Sequence, residues 1–141
     1  MLTENEQDTL SKVISIETFN KGEAVIVEDQ EGGNLYLLKS GCVDVILTFN
    51  GKTIKLKGLG EGAQLGDMSF VDGGKTSASI IAKDDCVAYK LTRDALSQLF
   101  VSHQAVVKEV MFTVMQNMSQ NLRQMNQSNA VSIQYIQGRK V

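Results

Sequence analysis

The sequence predicts a mainly β fold with flanking helices: a small β-barrel or jelly roll of about eight short strands, a short N-terminal helix and a long C-terminal dimerisation helix. Three observations carry this reading. Between residues 14 and 91, short segments of alternating apolar and polar residues recur, ended by glycines, an asparagine or polar corners. One such corner, Asn50-Gly51, lies between alternating hydrophobics and is a strong hairpin signal, because both residues tolerate positive φ. From Thr92 the apolar spacing becomes helical, and from Ala105 no glycine interrupts it until Gly138. The 141 residues amount to a single domain with one core. It divides into a leading helix (1–13), the barrel (14–91), C-terminal helices (92–128) and a tail (129–141).

Thr3 and Glu6 have the spacing of a helix capping box, and Leu10, Val13 and Ile14 supply a sparse apolar face. From Ile14 the period changes to two, with Ile14, Ile16 and Thr18 alternating with polar partners. Lys21-Gly22-Glu23 then turns the chain into a strand over 24–27. A polar loop ending in Gly32-Gly33 leads to a strand over 34–40, closed by Gly41. Val43, Val45 and Leu47 share one face of the next strand, so 42–49 should pair with 52–59 across Asn50-Gly51. Gly58, Gly60 and Gly62 are too dense for a helix and suit a tight loop. Residues 77–82 and 86–91 read as two strands around the corner Lys83-Asp84-Asp85.

Thr92 can cap a helix that has Asp94 in its first turn and Leu96, Leu99 and Phe100 as its buried stripe. The chain bends around 102–104 and continues as one long helix. Along it Met111, Met115, Met118, Leu122 and Met125 recur at spacings of four, three, four and three, a heptad seam. The seam either pairs two chains as a homodimer or packs on its own barrel. Pairing is favoured, since the helix runs beyond what a small barrel covers. Past Met125 the seam lapses, and 129–141 reads as a fraying tail.

Sixteen acidic and fourteen basic residues leave the chain near neutral, without the basic stripe that direct nucleic-acid binding needs. No apolar run approaches a membrane span, and the N-terminus MLTENEQDTL is too polar for a signal peptide, so no membrane partner and a cytoplasmic location are expected. Cys42 and Cys86 both fall in apolar alternating stretches, where reduced, buried thiols acting as small hydrophobes are expected rather than a disulfide. Metal chemistry on a small barrel needs several converging histidines, whereas His103 stands alone at a helix junction. No spacing holds two carboxylates together for acid–base work. No catalytic residue and no metal ligand is therefore assigned, and an enzyme is not expected.

The chemistry is concentrated in 62–82. There a Gly66-Asp67 step precedes Met68-Ser69-Phe70-Val71, then a Gly73-Gly74 pair and the small polar run Thr76-Ser77-Ala78-Ser79. A glycine followed by a helical turn leaves backbone N–H groups pointing one way, and small side chains beyond it let an anion approach closely. This is a recipe for a phosphate cradle.

The stretch resembles the phosphate-binding cassette of the cyclic-nucleotide-binding domain, usually Phe-Gly-Glu-Leu-Ala-Leu followed after a few residues by Pro-Arg-Ala-Ala. The order of elements is similar to that family from about Ile14 to Met125. Supporting residues are Gly32-Gly33-Asn34-Leu35-Tyr36-Leu37, Ser40-Gly41-Cys42-Val43, Leu59-Gly60 with Gly62, and Gly66-Asp67-Met68-Ser69. The resemblance implies a regulatory module that senses cyclic AMP, cyclic GMP or a related anion, with no further cofactor. It also implies a long helix that pairs two subunits and lies against the nucleotide. In catabolite-activator-type members a helix-turn-helix domain follows. The chain ends at Val141, so a stand-alone sensor or a fragment of a larger protein is expected.

Carried over residue by residue, the family glutamate that hydrogen-bonds the ribose hydroxyl falls on Asp67, and the cradle amides on Met68 and Ser69. The family arginine falls on Thr76 and its preceding proline on Lys75. A bidentate arginine makes charge-assisted bonds that a neutral hydroxyl cannot replace. Three readings follow: Lys75 swings in, with Thr76 and Ser77 beside Ala78 completing a weaker cradle; the cavity takes a differently shaped or less anionic ligand; or the pocket is vestigial. In the last case the chain is a nucleotide-independent dimeric module that scaffolds a protein partner. For the base, the family places polar side chains of the long helix over the purine, and alignment to it by spacing brings Asn121 near that position, with Tyr135 as a further candidate.

Overall fold

The computed structural model describes the backbone of residues 2–139 and side chains as far as Val131. The capping box forms as expected. Thr3 Oγ1 accepts from the Glu6 N–H at 3.2 Å, Glu6 Oε1 accepts from the Thr3 N–H at 3.0 Å, and α1 (Glu4–Ser11) follows. The hydrogen bonds from Thr3, the backbone one first, hold the Glu6 carboxyl below its ordinary value.

Eight strands follow: β1 (Ser15–Phe19), β2 (Ala24–Ile26), β3 (Asn34–Ser40), β4 (Val43–Phe49), β5 (Lys52–Leu59), β6 (Gln64–Leu65), β7 (Ser79–Ala82) and β8 (Cys86–Thr92). They form two antiparallel four-stranded sheets, ordered β1-β8-β3-β6 and β2-β7-β4-β5. The β4–β5 hairpin turns at Asn50-Gly51, whose φ angles of 51° and 74° suit the twist of the flanking strands. Strand β6 is two residues long, too short for its alternation to be read from sequence.

The inner faces of the sheets meet over Tyr36, Leu38, Val43, Leu65, Ala82 and Ala88. A second cluster joins Phe70 and Leu91 to Leu96, Leu99, Val106 and Val107. Each leucine, valine or phenylalanine side chain so removed from water contributes about 1.5–3 kcal/mol. The second cluster has a further role: it ties the short helix α2 (Asp67–Asp72) to α3 (Arg93–Ser102) and α4 (Gln104–Arg139). Thr92 Oγ1 caps α3 by accepting from the Ala95 N–H at 3.1 Å, and His103, with φ −134° and ψ 60°, breaks α3 from α4.

Three expectations are corrected. Phe100 is 57% exposed, because the buried stripe of α3 runs through Ala95, Leu96 and Leu99 and leaves Phe100 on its flank. Cys42 is exposed while Cys86 is buried, and both are free thiols. Val43 and Val45 take the inward positions of β4, so the preceding Cys42 falls at an outward corner and contributes only its carbonyl, which accepts from Cys86 Sγ at 3.2 Å. Finally, α4 continues through the expected tail as far as Arg139.

Candidate functional site

A cavity of about 460 Å³ opens between the β2-β7-β4-β5 sheet, the segment around α2 and one face of α4. Gly66, Asp67, Met68, Ser69, Thr76, Ser77 and Ala78 all line it, so the structure brings together every cradle residue expected from sequence except Lys75. Asn121 lines the opposite wall, joined there by Asn117 and Gln120 of the same helix.

Gly66 makes the geometry possible. It starts α2 in the left-handed region (φ 76°, ψ 18°), and a Cβ there would lie 2.6 Å from the Asn34 carbonyl oxygen and 2.9 Å from Ile26 Cδ1. Its carbonyl accepts from the Phe70 N–H at 3.1 Å and from Ser69 Oγ at 3.3 Å, which satisfies the buried Ser69 hydroxyl. Phe70 then anchors α2 in the helical core. The Asp67 carboxylate is held at both oxygens: Oδ1 accepts from the Met68 N–H at 2.9 Å and Oδ2 from Gln64 Nε2 at 3.0 Å. The Met68 amide, an expected cradle donor, is thus already engaged.

The segment that follows departs from expectation. Thr76 Oγ1 donates to the Val27 carbonyl at 2.5 Å and accepts from the Gln30 N–H at 3.0 Å, pinning the β2–β3 loop. Its backbone adds reciprocal bonds, Asp29 N–H to Thr76 O and Thr76 N–H to Gln30 O, both at 2.9 Å. A hydroxyl so used is a loop clamp. Lys75 does not reach the cavity: its ammonium points outward and lies 3.9 Å from Asp29 Oδ1. Both side chains of that pair are mostly exposed, so it adds little. Arg93, at the far end of α2, donates to the Val71 carbonyl at 3.4 Å and is not part of the cavity wall.

The cation that does line the cavity is Lys57, which sequence reasoning missed. Plain alternation along β5 puts Ile54 and Leu56 on one face and Lys57 on the other. A bulge between the Val45↔Lys57 and Ile46↔Lys55 pairs, with Leu56 as the extra residue, reverses that parity. Lys57 therefore sits opposite inward-facing Val45, whose other neighbour is Ile80 of β7. Asn117 was also missed, although it lies one helical turn before Asn121 and a period-of-four search from that residue would have found it. The side chain of Tyr135 lies outside the described residues.

On α4, Val106, Val107 and Val114 are buried against the domain, and Met111 packs on the helical core. Met115, Leu122 and Met125 are 46%, 57% and 59% exposed, with Met118 half-buried between them. No helix among the described residues is long and apolar enough to cross a membrane, and none of their His, Cys, Asp and Glu side chains group in threes that could hold a metal ion.

Two packed antiparallel sheets, a six-residue helix set into a cavity wall and a long helix facing that cavity define a β-roll domain. Residues 16–103 match the cyclic nucleotide-binding domain, and the chain belongs to that family. Domains of this family are regulatory. The chain is 26% identical over 117 residues to a cGMP-dependent protein kinase of Eimeria tenella, covering 82% of this chain and 11% of the kinase. It is 26% identical over 108 residues to the cAMP-dependent protein kinase regulatory subunit of Candida albicans, covering 77% of this chain and 23% of the subunit. The chain therefore spans less than a quarter of either relative. Among solved structures, a cyclic nucleotide-binding domain from Methylobacillus flagellatus superposes with a TM-score of 0.83 at 27% identity, covering 87% of this chain and 70% of that one.

Proposed function

We propose that this domain is a regulatory sensor that binds a cyclic nucleotide in the 460 Å³ cavity, with atypical phosphate contacts, and signals through α4 to a second copy of the chain. The observation that carries the reading is the convergence, in one cavity, of Asp67, Ser69, Ser77 and Ala78 with Gln120 and Asn121 of α4. A ligand bridging these walls changes how the long helix sits, which is how binding becomes a signal. In this reading Asp67 accepts from the ribose hydroxyl, Ser77 and the α2 backbone face the phosphate, and Asn121 reads the purine edge. Cytoplasmic location belongs to the same proposal.

Lys57 takes the place of the missing arginine as counter-charge. Lysine is a point charge rather than a planar fork, so it attracts an anion without fixing its orientation. Replacing Lys57 by Met, which keeps most of the side-chain length, should weaken binding by about tenfold while leaving the fold unchanged. Affinity unaltered by K57M would remove Lys57 from the site.

Isothermal titration with cyclic AMP, cyclic GMP and a noncyclic nucleotide tests the whole reading. Both cyclic forms are included because the two curated relatives are named for different ones. Binding confined to a cyclic form supports the sensor. Silence up to millimolar concentration favours the second reading, a nucleotide-independent dimeric interaction module with a vestigial pocket. The observation behind that alternative is the commitment of Thr76 to the β2–β3 loop.

Both readings use the seam Met111, Met115, Met118, Leu122 and Met125 for pairing. It is supported by the exposure of Met115, Leu122 and Met125 where α4 leaves the domain. Met118→Glu places a charge mid-seam and should yield a folded monomer in sedimentation or solution scattering. An unchanged dimer would exclude this seam.

A further inference from the structure

Gln64 of β6 stands between the Asp67 carboxylate and helix α4, and its amide is bonded on both sides. Nε2 donates to Asp67 Oδ2 at 3.0 Å and to the Val114 carbonyl of α4 at 3.4 Å, while Oε1 accepts from Asn117 Nδ2 at 3.0 Å. Chemistry dictates the direction of this chain. A carboxylate and a carbonyl can only accept, so the Gln64 NH₂ group must face them, its oxygen must face Asn117, and Asn117 must donate. The other Asp67 oxygen is held by the Met68 N–H of its own helix. One side of the carboxylate is thus set by α2 and the other by two amides that end on α4.

Gln64 and Asn117 also line a second, largely apolar groove of about 420 Å³ beneath α1, so they partition that groove from the cavity. A donor removed here leaves its partner without the bond that orients it.

We propose that Gln64 and Asn117 are positioning residues that aim the Asp67 carboxylate at the ribose hydroxyl, so that recognition of that hydroxyl depends on the seating of α4. The inference rests on the cyclic-nucleotide reading of the cavity. A cyclic 3′,5′-nucleotide keeps a single free ribose hydroxyl, at 2′, and only that hydroxyl can donate from the sugar to Asp67. A carboxylate oxygen has lone pairs for two donors, so the ligand hydroxyl and the Gln64 NH₂ bind it together. Coupling is reciprocal: whatever affinity a seated α4 adds through Asp67, a bound ribose returns as stability of that seat.

The test compares each cyclic nucleotide with its 2′-deoxy counterpart by isothermal titration of the wild-type chain and of Asn117→Leu and Gln64→Met. In the wild type the deoxy ligand should bind about tenfold more weakly. In either variant, affinity for the parent nucleotide should fall to near that of the deoxy ligand, whose own affinity stays within about twofold. Retained deoxy binding reports an intact pocket, and two variants on different elements guard against one that fails to fold. Equal losses for both ligands would show a merely structural role and overturn the proposal. So would a deoxy penalty that survives both substitutions, or one absent from the wild type. A wild type that binds neither cyclic nucleotide sinks the functional reading itself, and the proposal with it; binding that persists while the penalty behaves otherwise sinks the proposal alone.

Discussion

Replacing Gly66 by alanine should destabilise the domain by about 2–4 kcal/mol and abolish nucleotide binding. The left-handed conformation costs a non-glycine residue about 1–2 kcal/mol. The added methyl then meets the Asn34 carbonyl oxygen at 2.6 Å and Ile26 Cδ1 at 2.9 Å. The isoleucine tip can move, but the carbonyl cannot readily do so, since Asn34 lies in β3 opposite Thr92 of β8. Relief must come from displacement of α2, which carries Asp67 into the cavity and Phe70 into the helical core. Gly60→Ala is the control, because that glycine has no atom within 4 Å of an added Cβ and no positive φ. Urea denaturation of both variants reads the difference. A loss at Gly66 no larger than at Gly60 would mean that α2 can start from another backbone path.

Asp67→Ala should lower the affinity for cyclic nucleotides by about ten- to a hundredfold, the range of a hydrogen bond to a charged acceptor. The proposed pairing of two chains should persist, because the seam of α4 does not include Asp67. The substitution also strands the Gln64 NH₂, which keeps only the 3.4 Å bond to the Val114 carbonyl. Loosening near Val114 and Asn117 should follow, visible as faster amide exchange in that turn of α4. Titration of the variant decides: a dissociation constant equal to that of the wild type would remove Asp67 from ribose recognition.

Much of the fold was legible from local signals. The Thr3–Glu6 box, the Asn50-Gly51 turn and the Thr92 cap each act within four residues, so their chemistry is complete in the sequence. The 66–69 part of the cavity wall was legible for a similar reason. Gly66 to Ser69 is a contiguous backbone motif, and the structure places all four residues along the cavity. Asn121 could be placed because the family resemblance puts polar side chains of the long helix beside the ligand and a helix has a fixed period.

What was not legible depended on partners distant in sequence. Thr76 offers the same hydroxyl wherever it sits; that it clamps Val27 and Gln30 is decided by the approach of a loop some 46–49 positions away. Lys75 has the charge to reach a phosphate, but its backbone bridges to Glu31 and its ammonium faces Asp29. Gln64, in a two-residue strand, carries no periodic signal, yet it is the contact between Asp67 and α4. Lys57 shares the face of Val45 because a bulge at Leu56 reverses the parity of β5, and a bulge arises from pairing between strands rather than from either strand alone. Hydrophobic period and turn chemistry are properties of the local chain, and they settled most of the elements and their order. The direction of a side chain at a strand irregularity, and the partner that claims a hydroxyl or an ammonium, are set by which surfaces come together. Those were decided only when the two sheets and α4 closed around the cavity.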